Sequence, residues 1–202
     1  MGESTLLTKA PISAVRSRWR NADDIHKGVM ALFERNLPGE QKEHRATSNI
    51  LYRIEYNPHH RENSHILLQS DVPTTEPDLT TMSLSPLLEA LDEGTRVVFR
   101  IDINPVVAVI HSNVRKAVPD DLIAPWFIER KMGIAFSSAE VRDVQCRQLH
   151  LSNRDDGARV RIARIDGIAT VGDADALREH IRHGVGRAKA YGCGLLSVAI
   201  LR

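Results

Sequence analysis

Residues 146–168 read CRQLHLSNRDDGARVRIARIDGI and predict a β-hairpin. The Asn-Arg-Asp-Asp-Gly segment consists of residue types that favour tight turns, and the runs on either side of it, 146–151 and 160–168, have the apolar side chains typical of strands. Arg159 and Arg161 are two residues apart and therefore share one strand face. We expect a hairpin with basic residues around its turn, namely Arg147, Arg154, Arg159 and Arg161.

The elements around this hairpin form a βαββαβ order in the second half of the chain. Apolar residues at helical spacing predict an amphipathic helix over 123–132 and another over 175–183, which ends at Gly184. A strand is predicted at 106–111, at the start of this half, and a closing strand at 195–201. This order is that of the ferredoxin-like fold, which RNA-recognition domains also use.

The first half of the chain shows the same order, although no residue-level repeat is visible. Asn21 is a suitable N-cap for the first helix, and Gly94 ends the second one. The predicted elements are a strand at 6–12, a helix at 23–35, a hairpin of 50–56 and 66–69, a helix at 85–91 and a strand at 97–103. We therefore predict an α+β protein of two tandem ferredoxin-like, RRM-like domains, one at 1–93 and one at 94–202. The fold by itself indicates no activity.

The composition excludes several classes of protein. The 202 residues include 27 Lys and Arg against 26 Asp and Glu, so any nucleic-acid site must be a local basic patch. Cys146 and Cys193 have neither the spacing of a zinc site nor that of a disulfide framework. No apolar run is long enough for a membrane span, and the N-terminus has no export signal, so we expect a cytoplasmic protein without a membrane partner.

A glycine-rich segment, GVGRAKAYGCG at 184–194, lies between the last helix and the last strand. Glycine lets the backbone approach a ligand closely, and Arg187 and Lys189 can neutralise phosphates, which indicates a phosphate-rich partner. The segment matches neither a Walker loop nor a Rossmann fingerprint, so a nucleotide cofactor is not indicated. A second interpretation stays open, in which Gly184 is a helix C-cap and the rest is a tight connection with solvated charges.

This segment, extended to 184–199, resembles the glycine-rich loop and last strand of the CasE family, the repeat-RNA endoribonucleases of type I-E CRISPR systems. Other pieces of the chain resemble the family in the same order and at similar spacing, over nearly the whole chain. They are FRIDINP at 99–105, similar to the family's F-R-L-R-A-N-P strand, WFIERKMG at 126–133, similar to its W-L-x-R-K-L-G helix, Ile-Asp-Gly at 165–167, similar to its F-E-G strand, Asp-Ala-Leu at 175–177, and the Ile-His pair at 25–26.

The resemblance implies a fold and an activity. CasE proteins are tandem ferredoxin-like proteins that bind the stem-loop of the CRISPR repeat and cut precursor RNA at its 3′ base without a metal, leaving a 2′,3′-cyclic phosphate and a 5′-hydroxyl. They keep the cleaved hairpin and become a subunit of the Cascade complex. We therefore expect an endoribonuclease whose partners are the repeat RNA and other Cascade subunits, with no metal and no small-molecule cofactor.

The resemblance places His26 at the catalytic position, and histidine can transfer either of the two protons that this reaction moves. From the pattern alone, a single His beside an apolar helical face is more often structural or solvent-exposed. Asp23 stands where relatives often carry Tyr, which leaves the second catalytic group open. Acidic residues are also favoured in the first turn of a helix, and we prefer that interpretation of Asp23. Some relatives carry a Lys one turn after the histidine, where Met30-Ala31 stand here, so the nearest cations are Lys27, Arg18 and Arg20.

The residues expected to contact RNA belong to three segments. The hairpin resembles the basic hairpin of the family, which enters the groove of the stem, although alternate arginines on a strand are also typical of a solvated face. The residues are Arg18, Arg20 and Lys27 near the first helix, Arg147, Arg154, Arg159 and Arg161 in the hairpin, and Gly184, Gly186, Arg187, Lys189, Gly192 and Gly194 in the glycine-rich loop.

Two other functions stay open at this point. One is a non-catalytic RNA-binding subunit of the same complex, which the departure at Asp23 allows, and the other is a ferredoxin-like protein for a small ligand. The histidines do not indicate a metal site, because those at 59, 60 and 65 lie in a turn-rich segment and the pair His180 and His183 has no third ligand in view.

Overall fold

A computed structural model describes residues 5–15, 21–37, 48–56, 64–109, 112, 114–151 and 158–202. Two four-stranded antiparallel sheets and a two-stranded one lie within these residues. The first sheet contains the strands β1 (Leu6–Pro11), β2 (Leu51–Glu55), β3 (His65–Ser70) and β4 (Thr80–Ser83), with helix α1 (Ala22–Ala31) between β1 and β2. Its strand order, β2-β3-β1-β4, places β3 between β1 and β2, as in the split βαβ arrangement of the ferredoxin-like fold.

Helix α1 begins where the sequence predicts it, but it ends at Ala31 and not at residue 35, and turns follow over 32–36. The side-chain oxygen of Asn21 accepts a hydrogen bond from the backbone N–H of Asp24 at 2.9 Å, which caps the helix. Ile25 and Val29 are one turn apart, and both are buried against the first sheet together with Phe33. The apolar stripe thus fixes which face of α1 points away from the core.

The strand that closes the first sheet is not the predicted one. We expected a helix at 85–91 and then a strand at 97–103, but β4 pairs with β1, and residues 71–79 before it form bends and turns without a helix. All side chains of β4 are exposed, so this edge strand lacks the apolar alternation that identifies a strand in a sequence. Helix α2 (Ser85–Glu89) follows β4 and packs its Leu88 in the core of the second sheet.

The second sheet contains the complete βαββαβ order. Its strands are β5 (Arg96–Ile103), β8 (Phe136–His150), β9 (Arg159–Val171) and β10 (Leu196–Ile200), in the order β10-β5-β9-β8. Before β8 lies helix α3 (Ile123–Phe127), which continues as a π-helical turn (Ile128–Met132), and before β10 lies α4 (Ala174–His183). The two helices and the long hairpin are confirmed at the predicted positions, and so is the tandem ferredoxin-like fold. The domain boundary between residues 93 and 94 stays a prediction.

The segment predicted as the first strand of the second half, 106–111, forms something else. Within the described residues, strand β6 (Val106–Ala108) pairs with β7 (Arg115–Ala117) alone, in a small antiparallel hairpin that follows β5. Asn104-Pro105 ends β5 and separates it from β6, since proline cannot donate a ladder hydrogen bond. The strand predicted at 97–103 therefore begins the second sheet instead of closing the first.

A buried arginine joins the two sheets. Arg53 on β2 is 2% exposed, and its Nη1 donates hydrogen bonds to the carbonyl oxygens of Arg100 at 3.0 Å and Leu195 at 2.9 Å. Its Nη2 donates to the hydroxyl of Ser197 at 2.9 Å, and its Nε donates to Glu55 at 2.6 Å. Burial lowers the pKa of Arg53, and the charge of Glu55 opposes that effect. Every nitrogen of this side chain thus has an acceptor, as a buried guanidinium requires.

Glu55 is the anion at the centre of this contact. Besides Arg53 it forms ion pairs with Arg164 at 3.1 Å and Arg100 at 3.2 Å. Burial of the carboxylate raises its pKa, but the positive charges of these three arginines outweigh burial and hold the pKa of Glu55 below its ordinary value. The carboxylate is therefore ionised where the two sheets meet.

Candidate active site and RNA interface

His26 lies in the first half of α1, between the buried and the exposed faces of the helix. Its neighbour on one side, Ile25, is buried in the core, and its neighbour on the other side, Lys27, is exposed. The His26 side chain is partly exposed, while its Nδ1 is buried. Nδ1 of the ring therefore points into the protein, while part of the side chain is accessible to solvent.

The N-terminus of α1 contacts the hairpin formed by β8 and β9 at the end where β8 finishes and β9 begins. The backbone N–H of Asp23 donates a hydrogen bond to the carbonyl oxygen of Leu151, the residue after β8, at 3.1 Å. Leu151 in turn donates to the carbonyl oxygen of Ala158 at 3.0 Å, which extends the ladder of the hairpin. His26 is only three residues from Asp23, so it lies about one helical turn from this contact.

The glycine-rich loop also lies against α1. The 3-10 turn within it, Lys189–Tyr191, packs next to α1 and next to β2. Tyr52 on β2 donates a hydrogen bond from its hydroxyl to the carbonyl oxygen of Ala190 at 2.9 Å. Two segments that are far apart in the sequence, namely the end of the hairpin at Leu151 and Ala158 and the glycine-rich loop, therefore both lie against α1.

Glycine is required in this loop for packing inside the protein. Gly184 and Gly194 both have positive φ, at 72° and 92°. A Cβ on Gly184 would lie 2.7 Å from the Leu51 side chain, and a Cβ on Gly194 would lie 2.9 Å from the carbonyl oxygen of Val185. Gly184 ends α4, so the predicted C-cap is confirmed. This requirement exists without RNA, and RNA contacts of these glycines stay a prediction.

The cations of the loop differ in how they are held. Arg187 is exposed, whereas Lys189 is half-buried and its Nζ donates a hydrogen bond to the carbonyl oxygen of His183 at 2.5 Å. Gly186 and Gly192 also have positive φ and shape the chain on either side of these cations. Arg187 is thus the more accessible of the two charges.

The arginines of the hairpin lie on opposite faces of the second sheet. Arg147 pairs in register with Ile162 and lies on the face toward the first sheet. Arg159 and Arg161 share the other face, as predicted, because they lie an odd number of residues from Ile162. The hairpin therefore does not present its arginines as one cluster.

Arg159 and Arg161, on the sheet face opposite to that of Arg147, have different partners. Arg161 is 20% exposed, donates a hydrogen bond to the carbonyl oxygen of Val118 at 2.7 Å and forms an ion pair with Asp120. Arg159 is exposed, and its Nη1 donates to the side-chain oxygen of Gln148 at 3.3 Å. Arg161 thus connects the long hairpin to the segment after β7, while Arg159 extends toward solvent.

Arg147 contacts a carboxylate that sequence reasoning missed. Asp102 on β5 is fully buried, and it accepts hydrogen bonds from Arg147 at 2.5 Å and from the Nε of Arg164 on β9 at 2.7 Å. Burial opposes the charge of Arg164, but its hydrogen bond to Asp102 and the charges of Asp102 and Glu55 outweigh burial and raise its pKa. The available signal was an aspartate between two isoleucines in a predicted strand.

Several predicted residues lie outside the described part of the chain. They are Arg18 and Arg20 before α1 and Arg154 at the turn of the long hairpin. Their contacts with RNA stay predictions. Lys27 is described, and its exposed side chain follows His26 directly.

The histidines near the C-terminus of α4 make polar contacts within the protein. His183 Nδ1 lies 3.1 Å from the side-chain oxygen of Asn49, and its Nε2 lies 3.3 Å from Glu179. Burial lowers the pKa of the neighbouring His180. Among the described residues, no group of three or more His, Cys, Asp or Glu side chains could hold a metal ion, and no helix is long and apolar enough to cross a membrane.

The fold and this arrangement define a class, a tandem ferredoxin-like protein with a basic hairpin and a glycine-rich loop next to its first helix. A family model described as CRISPR associated protein matches residues 4–199. Because this match spans nearly all of the chain, the chain belongs to that family, and the resemblance noted in its sequence is confirmed.

Individual relatives agree with this assignment. The chain is 26% identical over 195 residues to the CRISPR system Cascade subunit CasE of Escherichia coli strain K12, a match that covers 90% of this chain and 94% of the relative. It is similar to the crystal structure of Cas6e from Escherichia coli K-12, with 26% identity, a TM-score of 0.69 and coverage of 97% and 100%. It is also similar to Thermus thermophilus Cse3 bound to an RNA representing a pre-cleavage complex, with 23% identity, a TM-score of 0.73 and coverage of 97% and 99%. At 23% identity, the similarity to Thermus thermophilus Cse3 shows a shared fold and nothing further.

Proposed function

We propose that this protein is an endoribonuclease that cuts CRISPR precursor RNA at the 3′ base of the repeat stem-loop. Membership of the CRISPR associated family supports the link to CRISPR RNA, and the similar protein of Escherichia coli is named a Cascade subunit. The observation that carries the proposal is that α1, the helix with His26, contacts both the basic hairpin and the glycine-rich loop.

Cleavage of RNA without a metal requires two proton transfers. The ribose 2′-oxygen attacks the adjacent phosphorus and loses its proton, the bond from phosphorus to the 5′-oxygen breaks, and that oxygen gains a proton. The products are a 2′,3′-cyclic phosphate and a 5′-hydroxyl. Negative charge accumulates on the phosphoryl oxygens during the reaction, so nearby cations lower the barrier.

His26 is the residue that we assign to one of these transfers. Its ring is partly exposed on the helix that contacts both segments, and because Nδ1 is buried, Nε2 is the nitrogen that would reach the RNA. Neutral imidazole can accept the 2′-hydroxyl proton, and imidazolium can donate to the 5′-oxygen. Lys27, exposed at the next position, supplies positive charge near the phosphate.

Binding of the stem would come from exposed cations of the hairpin and of the loop. Arg147 and Arg159 present guanidinium groups from the hairpin, and Arg187 does so from the loop. Double-stranded RNA is recognised mainly through its shape and its phosphates, so these contacts would give an affinity that falls steeply with added salt. We further propose that the protein keeps its product, functions as a subunit of Cascade and is located in the cytoplasm.

The test is cleavage of labelled repeat hairpins in the presence of EDTA, with wild type and His26→Ala compared. We expect wild type to release a product with a cyclic phosphate, and His26→Ala to cut about 100-fold more slowly or worse, since general acid–base catalysis contributes factors of that size. The variant should bind the same hairpin as wild type does, because His26 is assigned to catalysis. Equal cleavage by both proteins would contradict the role of His26.

A second candidate function rests on Asp23. A carboxylate in the first turn of α1 would repel a phosphodiester, and it stands where relatives often carry Tyr. A non-catalytic RNA-binding subunit would bind the hairpin tightly, and neither wild type nor His26→Ala would cut it. An Asp23→Tyr variant that gained cleavage would identify this residue as the reason.

A further inference from the structure

Asp102 is a fully buried carboxylate next to the last residue of β5, on the sheet face that points toward the first sheet. It lies directly opposite Arg164 of β9 in the strand register. An ionised carboxylate in such a place is stable only if it is paired and hydrogen-bonded. Its partners therefore determine whether the site has a purpose beyond packing.

Arg164 satisfies most of this requirement. Its Nε donates to Oδ1 of Asp102 at 2.7 Å and its Nη2 to Oδ2 at 3.1 Å, which is a bidentate ion pair. Its Nη2 also donates to the carbonyl oxygen of Ile54 in the first sheet at 2.7 Å. Arg164 is 12% exposed, so this pair belongs to the protein interior.

Arg147 is a second cation on the same carboxylate, and it comes from a different strand. Its Nη2 donates to Oδ2 of Asp102 at 2.5 Å, across the intervening strand β9. The connected ion pairs hold four arginines, at positions 53, 100, 147 and 164, against three carboxylates, at positions 55, 102 and 166, so one positive charge is in excess. Arg147 is also 43% exposed, which means that the outer part of its guanidinium reaches solvent.

The remaining donors of Arg147 are oriented by this contact. Among the described residues they have no protein acceptor, whereas Arg161 on the opposite face uses its terminal nitrogens for Val118 and Asp120. A guanidinium has five N–H donors in a rigid plane, so the hydrogen bond from Nη2 to Asp102 restricts the directions of the other donors. Such a group binds phosphate with less loss of side-chain entropy than a free arginine does.

We propose that Asp102 is a positioning residue that acts on RNA binding through Arg147, whose guanidinium it holds ready for a phosphate of the stem. The inference rests on the proposed function and adds to it a residue that does not touch RNA. Asp102 also accepts a hydrogen bond through its backbone oxygen from the N–H of Gly194 at 2.7 Å, so the same residue contacts the end of the glycine-rich loop. Arg147 and that loop are thereby held relative to one strand.

The experiment is a double-mutant cycle on RNA affinity, with a repeat hairpin that carries a 2′-deoxy nucleotide at the cleavage position and therefore stays intact. We expect Arg147→Gln to weaken binding about tenfold and to reduce the slope of log K against log salt by about 1, since one phosphate contact is lost. Asp102→Asn should weaken binding about fivefold in the wild-type background. In the Arg147→Gln background, Asp102→Asn should have no further effect, because the two residues act together.

A purely structural Asp102 gives a different result. Asp102→Asn would then weaken RNA binding by the same factor in both backgrounds, and that outcome overturns the inference. An Arg147→Gln variant that binds the repeat hairpin with wild-type affinity overturns the inference as well. The matched control is Arg142→Gln, which removes an exposed arginine on the same strand β8 that forms an ion pair with Glu140, and it should bind like wild type.

A further variant tests the inference if Asp102→Asn does not fold. Arg147→Lys keeps the charge and leaves the Asp102–Arg164 pair intact, but it lacks the planar fork. We expect Arg147→Lys to bind almost as weakly as Arg147→Gln, and wild-type affinity in Arg147→Lys would overturn the inference. A wild-type protein that does not bind the hairpin would overturn the proposed function itself, whereas a bound hairpin that is insensitive to Arg147 would overturn only this inference.

Discussion

The long β8–β9 hairpin and the glycine-rich loop both contact α1 and both contain basic residues, but they are built in different ways. The loop is fixed by its backbone, since Gly184 and Gly194 pack where a Cβ would collide with Leu51 or with a carbonyl oxygen. The hairpin is a regular ladder, and its arginines are distinguished by their partners. Arg147 donates a hydrogen bond to the buried Asp102 and remains 43% exposed. Arg161 uses its terminal nitrogens for Val118 and Asp120.

This difference separates two kinds of contribution to one site. Glycine and arginine both suggest phosphate binding when they occur in a sequence, yet the glycines here are needed for the contact between the two sheets. Mutation of the loop glycines should therefore act mainly on stability, and mutation of the exposed hairpin arginines mainly on RNA affinity.

Removing the arginine that ties the two sheets together should cost the most. Arg53→Met leaves the carbonyl oxygen of Leu195, at the end of the loop, without its donor, and removes a buried ion pair with Glu55. We expect the free energy of unfolding to fall by about 4 kcal/mol in urea denaturation. The exposed Arg142→Met is the control and should stay within about 0.5 kcal/mol of wild type. A loss below about 1 kcal/mol for Arg53→Met would show that this contact does not join the sheets.

The glycine C-cap of α4 should come next. Gly184→Ala places a Cβ 2.7 Å from the side chain of Leu51 at a φ of 72°, and we expect a loss of about 3 kcal/mol. Gly94→Ala is the matched control, because its φ is 82° but nothing lies within 4 Å of the added Cβ, so strain alone should cost about 1 kcal/mol. Equal losses in the two variants would refute the packing role of Gly184.

The ion cluster around Glu55 predicts a pH dependence with a definite sign. Arginine charges hold its pKa in the folded state below the ordinary 4.5, so its contribution to stability is present above that pH and is lost as pH falls through the folded pKa. Glu55→Gln removes this titration. The difference in unfolding free energy between wild type and Glu55→Gln should therefore shrink as pH falls from about 6 to about 3. A difference that stays constant over this range would contradict the assignment.

The smallest effects are expected for Arg159 and Arg161, which share the hairpin face opposite to that of Arg147. Arg159→Gln should leave stability within about 0.5 kcal/mol of wild type and weaken RNA binding about threefold, because the side chain is exposed. Arg161→Gln should lower the free energy of unfolding by about 1 kcal/mol through the lost bond to Val118, and should change RNA affinity less than about twofold. If Arg161→Gln weakened RNA binding more than Arg159→Gln does, Arg161 would have to exchange its ion pair with Asp120 for a contact with RNA.

Most of the fold could be predicted from the sequence because its apolar periodicity is strong. Helix α1, its Asn21 cap and the long hairpin lie where the pattern placed them. The edge strand β4 was missed, because Thr80–Ser83 is exposed on both faces and carries no periodic signal. The strand at 97–103 was consequently given to the first sheet, although its pairing with β9 and β10 places it in the second.

The site was predicted only in part, because residue type does not reveal partners. The sequence singled out Arg147 and Arg161 equally, and only the register shows that they lie on opposite faces. Asp102, Arg164 and Arg53 were not singled out, because their roles depend on strands that pair across the chain. Charged residues inside apolar strands were the signal that could have found them.

We expect the RNA to be cut next to α1, where the end of the hairpin at Leu151 and Ala158 and the glycine-rich loop contact this helix. The most direct measurement is photo-crosslinking of a repeat hairpin with a 2′-deoxy nucleotide at the cleavage position and 4-thiouridine next to it, followed by mass spectrometry of the linked peptides. We expect crosslinks to the peptide that contains His26, together with crosslinks to the loop at 184–194. Crosslinks confined to the hairpin strands, with none in the His26 peptide, would contradict this expectation.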